Sequence, residues 1–198
     1  MKKLHLVLGF TSALALSACG GSETTTTTTN TVVTDNYTGM DAPTDANMAD
    51  NALMTDAAAT PGQTFANEVG ASNHYEVEAG KLAQEKAQEQ KFKDFGKMMV
   101  EQHNASTEKL KAAAAKASPA IAPNPALTAE QETNLAALRS AEGAAFDALY
   151  KTQQVAAHEK ALTTVKAYAA SGEVAELKTF AGDAVKVVEA HLAKIKGL

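Results

Sequence analysis

The chain has 198 residues, no tryptophan, a single cysteine and a formal net charge of −5 at pH 7. That length holds one ordinary domain with tails, and a lone cysteine excludes an internal disulfide. Six acids and no Lys or Arg lie within residues 20–62, which leaves residues 63–198 close to −1 and without the basic footprint that nucleic acid or anionic lipid selects.

In chain order, Met1-Lys2-Lys3 is a short basic start, and Leu4–Leu16 is apolar but too short to span a bilayer. Leu16-Ser17-Ala18-Cys19 then closes the segment with small residues, the pattern of a secretory signal peptide over residues 1–18. "LSAC" also matches the bacterial lipoprotein box, so Cys19 is the expected lipidation site. Each buried acyl methylene would contribute about 0.8 kcal/mol to anchoring. Gly20 follows where an aspartate would favour retention, so the expected location is the outer membrane, facing the periplasm.

Residues 19–60 are rich in Thr, Asp, Asn and Gly, with apolar residues in no period. Such a segment buries too little surface to offset its ordering entropy and is expected to be a disordered tether. As a random coil of about 40 residues it would reach roughly 30–40 Å.

From Thr60 the chain becomes Ala-, Lys-, Glu- and Gln-rich, and the domain is expected over residues 61–198. "TPGQ" reads as an N-cap, a first-position proline and a capping-box glutamine. Helix one is expected over about Pro61–Gln88, with an inner stripe of Phe65, Val69, Ser72, Glu76, Ala79 and Ala83. Extending that stripe at 3.6 residues per turn lands on Gln90, Asp94 and Lys97, whereas the apolar residues fall at Phe92, Phe95 and Met99. The phase slip predicts a turn near Glu89.

Helix two ends near Ser118, where "SPAIAPNPAL" forces an extended connection. "TAEQ" at 128–131 opens helix three, either continuous to residue 171 or interrupted at Ser140–Gly143. "SGEV" at 171–174 predicts a turn, with Gly172 suited to a left-handed C-terminal cap. Helix four carries Leu177, Ala181, Ala184, Val188 and Ile195 on one face. The implied fold is an all-α, up-down-up-down four-helix bundle. Abundant alanine predicts close helix approach and little room for a small-molecule pocket.

Three histidines share the aliphatic faces: His103 with Phe95, Met99 and Leu110, His158 with Leu162 and Val165, and His191 with Val188 and Ile195. If both short turns lie at one end of the bundle, Glu76, His103 and His158 are 13 or 14 residues from a turn and share a layer. His191, at 19 residues, then lies roughly 8 Å deeper at about 1.5 Å per residue. Glu76, His103 and His158, with His191 outside them, are a candidate ligand set for Zn, Fe, Cu or Mn. The same groups would also serve as a hydrogen-bonded polar core with no ion. His74 is expected to face solvent, with Tyr75, Glu78 and Leu82 on a flank. No Gly-rich phosphate loop, His-Glu-x-x-His or Gly-x-Ser-x-Gly motif occurs, which points to binding rather than turnover.

The segments "YEVEAGKLAQEKA" (75–87), "FKDFGKMMVEQH" (92–103), "GAAFDALY" (143–150), "HEKAL" (158–162) and "LKTFA…EAHL" (177–192) resemble the bacterial envelope family catalogued as domain of unknown function 4142. The resemblance implies a ferritin-like four-helix bundle with an export or lipoprotein signal, and motif residues at Glu76, Glu78, Gly80, His103, His158 and His191. Ferritin-like di-iron sites use Glu-x-x-His pairs. This chain instead has Glu101-Gln102-His103 and Glu189-Ala190-His191, whose spacing of two separates the side chains by about 200° around the helix. The expected function is a lipid-anchored, non-enzymatic envelope module that binds an unidentified partner or acts in envelope stress. The alternative is a metal-binding bundle.

Overall fold

A computed structural model describes residues 59–198, so the expected signal peptide, Cys19 and the expected tether up to residue 58 lie outside the described residues. The described part forms the all-α bundle that the sequence implies, with α1 Pro61–Lys86, α2 Gln90–Ala114, α3 Ala129–Ser140, α4 Gly143–Ser171 and α5 Ala175–Gly197. None of these helices is long and apolar enough to cross a membrane.

Local signals set most of the ends. Thr60 caps α1, its hydroxyl accepting from the Gln63 N–H at 3.2 Å, with Pro61 in the first turn. The Gln63 side chain does not close the box, however. It donates instead to Asn67 Oδ1 and the Ala122 carbonyl. Thr128 and Gln131 form a complete capping box on α3.

The turn between α1 and α2 falls at Ala87–Glu89, where the phase slip predicts it. Glu89 gives α2 no side-chain cap. The buried Asp147 of α4 supplies one, accepting from the Gln88 and Glu89 N–H groups at 3.0 and 2.9 Å. A carboxylate at a helix N-terminus satisfies orphan donors and complements the dipole. The same contact fixes the start of α4 against the α1–α2 turn.

Helix three of the sequence reading is two helices. The chain doubles back at Ala141–Glu142, and Gly143 takes φ +56°, a conformation that glycine adopts without strain. The α3 and α4 helices run antiparallel, tied by Gln153 Nε2 donating to the Asn134 carbonyl at 3.1 Å and by Lys160–Glu130 at 2.7 Å. Gly172 is not left-handed, having φ −61° and ψ 139°. Its constraint is space, since a Cβ there would collide with the Tyr168 ring.

The order of directions also differs from up-down-up-down. The α4–α5 turn lies at the start of α1, where the Gly62 N–H donates to Glu173 Oε1 at 2.7 Å. The two short turns are therefore at opposite ends. Helices α1 and α5 run one way and α2 and α4 the other. The physical reason is the 115–128 connection, which climbs back along α1 through the Asn124 N–H donating to Asn67 Oδ1 and through His74 Nδ1 against the Pro125 carbonyl. One long crossover of this kind is the connectivity of ferritin-like bundles.

Packing is closest within the α1–α2 and α4–α5 hairpins, which face each other with α1 against α4 and α2 against α5. At the α1–α2 crossing a Cβ on Gly80 would lie 2.6 Å from the Gly96 carbonyl oxygen, and one on Gly96 would lie 2.6 Å from that of Gly80. Two apolar clusters hold the hairpins together. One contains Phe92, Phe95, Met99, Phe146 and Tyr150, and the other Phe65, Leu110, Val165, Leu177 and Phe180. A buried polar layer of Asn73, Glu76, His103, Gln154, His158 and His191 lies between them.

Candidate metal centre

His103 of α2, His158 of α4 and His191 of α5 come from three helices and are all buried. Their ring centroids are 5.4 to 5.9 Å apart, and each ring offers one nitrogen such that the three nitrogens lie within 4.8 Å of one another. His158 and His191 meet despite an axial offset of five residues, roughly 8 Å. Helix side chains lean toward their own N-terminus, and in antiparallel neighbours that makes these two lean toward each other. The depth reckoning that set His191 apart omitted this lean and put both turns at one end.

The outward nitrogen of every ring is held by an oxygen. His103 Nδ1 is 2.9 Å from Asn73 Oδ1, and the Asn73 amide donates to Ser106 Oγ, which fixes the amide's orientation. His158 Nδ1 is 2.8 Å from the Gln154 carbonyl, and His191 Nε2 is 2.6 Å from Gln102 Oε1. An oxygen acceptor selects the tautomer with N–H on that side, so the opposite nitrogen of each neutral ring carries a lone pair. Those are Nε2 of His103, Nε2 of His158 and Nδ1 of His191. The first is buried with no protein partner, and the other two face each other at 3.4 Å.

Burial disfavours the charged form of two of the rings. It lowers His103 well below the usual imidazole range, with His158 and His191 adding to the shift, and it lowers His191 to about 4, with His158 and Lys194 adding. Neutral imidazoles with outward N–H groups bound to oxygen are the ligating form, and such outer hydrogen bonds orient the rings.

Glu76 is brought to His158 but on its outward side, with Oε1 3.8 Å from Nδ1. Its Oε2 has no protein partner, and burial raises its pKa against the opposing pull of His158 and Gln154. The converging set is thus His103, His158 and His191, with Glu76 behind His158. Both amide atoms of Gln154 and the Tyr150 hydroxyl are also buried without partners. Tyr150, Gln154 and His158 recur every four residues on α4, a stripe visible in the sequence and passed over there.

Tyr75 is buried rather than on a flank, because α3 covers α1 on that side, and its hydroxyl donates to Gln153 Oε1 at 3.0 Å. Glu78 pairs with Lys81 at the surface, away from the histidines. Glu101 and Glu189 are exposed, as their spacing from His103 and His191 requires. Contrary to the alanine-based expectation, a cavity of about 870 Å³ lies between the hairpins, with His103 and His191 in its wall.

The family model described as "Domain of unknown function (DUF4142)" matches residues 43–198. The chain belongs to this family. No curated protein and no solved structure matches it. In this DUF4142 chain the motif residues His103, His158 and His191 make the converging cluster, and Gly80 makes the helix crossing.

Proposed function

We propose that the bundle is a metal-binding module whose centre is His103, His158 and His191, held at the bacterial cell envelope by a lipid on Cys19. The observation that carries the metal reading is the set of three buried ring nitrogens within 4.8 Å of one another, each ring held from behind by an oxygen. Two lone pairs 3.4 Å apart repel unless a cation lies between them. A tetrahedral ion about 2.0–2.1 Å from each nitrogen sets its ligands roughly 3.3–3.4 Å apart, which is the His158–His191 separation. An all-imidazole set suits Zn, Cu or Fe better than Mn, which prefers oxygen.

Glu76 supplies negative charge behind His158 and stays outside the ligand set. Three protein ligands leave one position open, and the module acts by binding rather than turnover. The envelope reading is supported by the signal and lipoprotein-box residues ending at Cys19.

The test is elemental analysis of the full chain purified from cells in chelator-free buffer, beside a His103→Ala/His158→Ala variant. One metal per chain, lost in the variant, is expected. Substoichiometric metal in both samples would contradict the proposal.

A further inference from the structure

The cavity between the hairpins has a shape and a lining that the metal centre alone does not use. Along α2 it is lined from Gln102 to Ala113, eleven residues apart, or about 17 Å at the helical rise. Its walls include Val69, Ala113, Ala161, Val165, Phe180 and Ala184, while Asn73, Gln102 and Ser106 gather at the histidine end. Exposed charged residues, Lys109 and Asp183 among them, also border it, but the slot is mostly apolar inside, and a long slot of this kind fits an elongated amphiphile better than a compact polar molecule.

The open position fixes the head group. Among the described residues the buried layer holds one acidic side chain, Glu76, beside three imidazoles. A divalent ion there brings more positive charge than that one acid can offset, which is costly to bury in a low-dielectric interior. One anionic oxygen donor at the open position lowers that charge. His103 and His191 line the cavity and His158 does not, so the open position faces the slot.

We propose that the cavity binds a fatty-acid anion, with its carboxylate on the metal's fourth position and its unbranched tail along the slot toward Phe180. This rests on the three-histidine centre, so metal content is measured separately from ligand binding.

The test uses the full chain carrying Cys19→Ser, which has no acyl groups of its own and needs no detergent, loaded with Zn²⁺. Calorimetric titration with dodecanoate is expected to give one site per chain. Dodecanol has the same tail without the charge, and both it against the zinc-loaded chain and dodecanoate against the zinc-free chain are expected to bind about tenfold more weakly or worse. Ala184→Phe narrows the slot away from the histidines and is expected to retain one zinc while losing dodecanoate.

A chain that holds one zinc yet ignores dodecanoate, or binds dodecanol equally well, overturns the ligand and leaves the metal centre standing. Dodecanoate binding that survives Ala184→Phe overturns the tail's placement. A chain that takes up no zinc overturns both proposals.

Discussion

Nε2 of His158 and Nδ1 of His191 face each other at 3.4 Å, from residues 14 and 19 positions away from Gly172 on opposite sides of the same turn. The contact exists because antiparallel helices tilt their side chains in opposite senses. With His103 Nε2 it forms a cluster of acceptors with no donor, the feature from which the metal reading follows.

Glu76→Gln should separate stability from affinity. Removing a buried carboxyl group whose Oε2 has no protein partner should stabilise the metal-free chain by about 1 kcal/mol. Loss of the charge behind His158 should weaken zinc binding by about 10–100-fold. Denaturant melts of the metal-free chain, with chelator competition for affinity, read the two effects. Changes of the same sign would count against the role given to Glu76.

The metal-free bundle should lose stability in acid. His103 and His191 have folded pKa values below the unfolded imidazole value near 6.5. Their contribution is therefore complete above about pH 6.5 and declines as pH falls toward the folded value, about 4 for His191. Below pH 6.5 the unfolded chain takes up protons that the folded one refuses. Glu76, with a raised pKa, works in the opposite sense, stabilising below its unfolded value and losing that contribution as pH rises. Urea melts between pH 4 and 7 should show a shallower acid loss for His191→Gln than for the parent chain, and equal slopes would disprove this origin.

Gly80→Ala raises helix propensity by about 1 kcal/mol but sets a Cβ against the Gly96 carbonyl, a backbone atom that cannot rotate away. Overpacking should dominate, with a net loss of roughly 1–2 kcal/mol. A thermal melt at or above that of the parent would show that the helices part freely.

Cys19→Ser should abolish fatty-acid incorporation in radiolabelled cells and release the chain into the soluble fraction. Unchanged membrane fractionation would remove the proposed anchor.

Spacing reveals faces better than it reveals connections. The stripe through Phe65 and Ala83, its slip at Glu89 and the inward histidines were all legible because each depends on local helical period. The doubling back at Gly143 and the reversed direction of α4 depend on how the 115–128 segment lies along α1. That contact joins residues more than fifty positions apart and leaves no period in the sequence. Burial of Tyr75 has the same origin in α3. The cavity was missed because alanines brought helices close within each hairpin and left the two hairpins apart.

The most direct test is a zinc titration comparing His191→Ala with His74→Ala, since His74 is exposed and bound only to the crossover. The account predicts a loss of about 100-fold or more for His191→Ala and parental affinity for His74→Ala. Parental zinc affinity in His191→Ala would contradict the three-histidine centre.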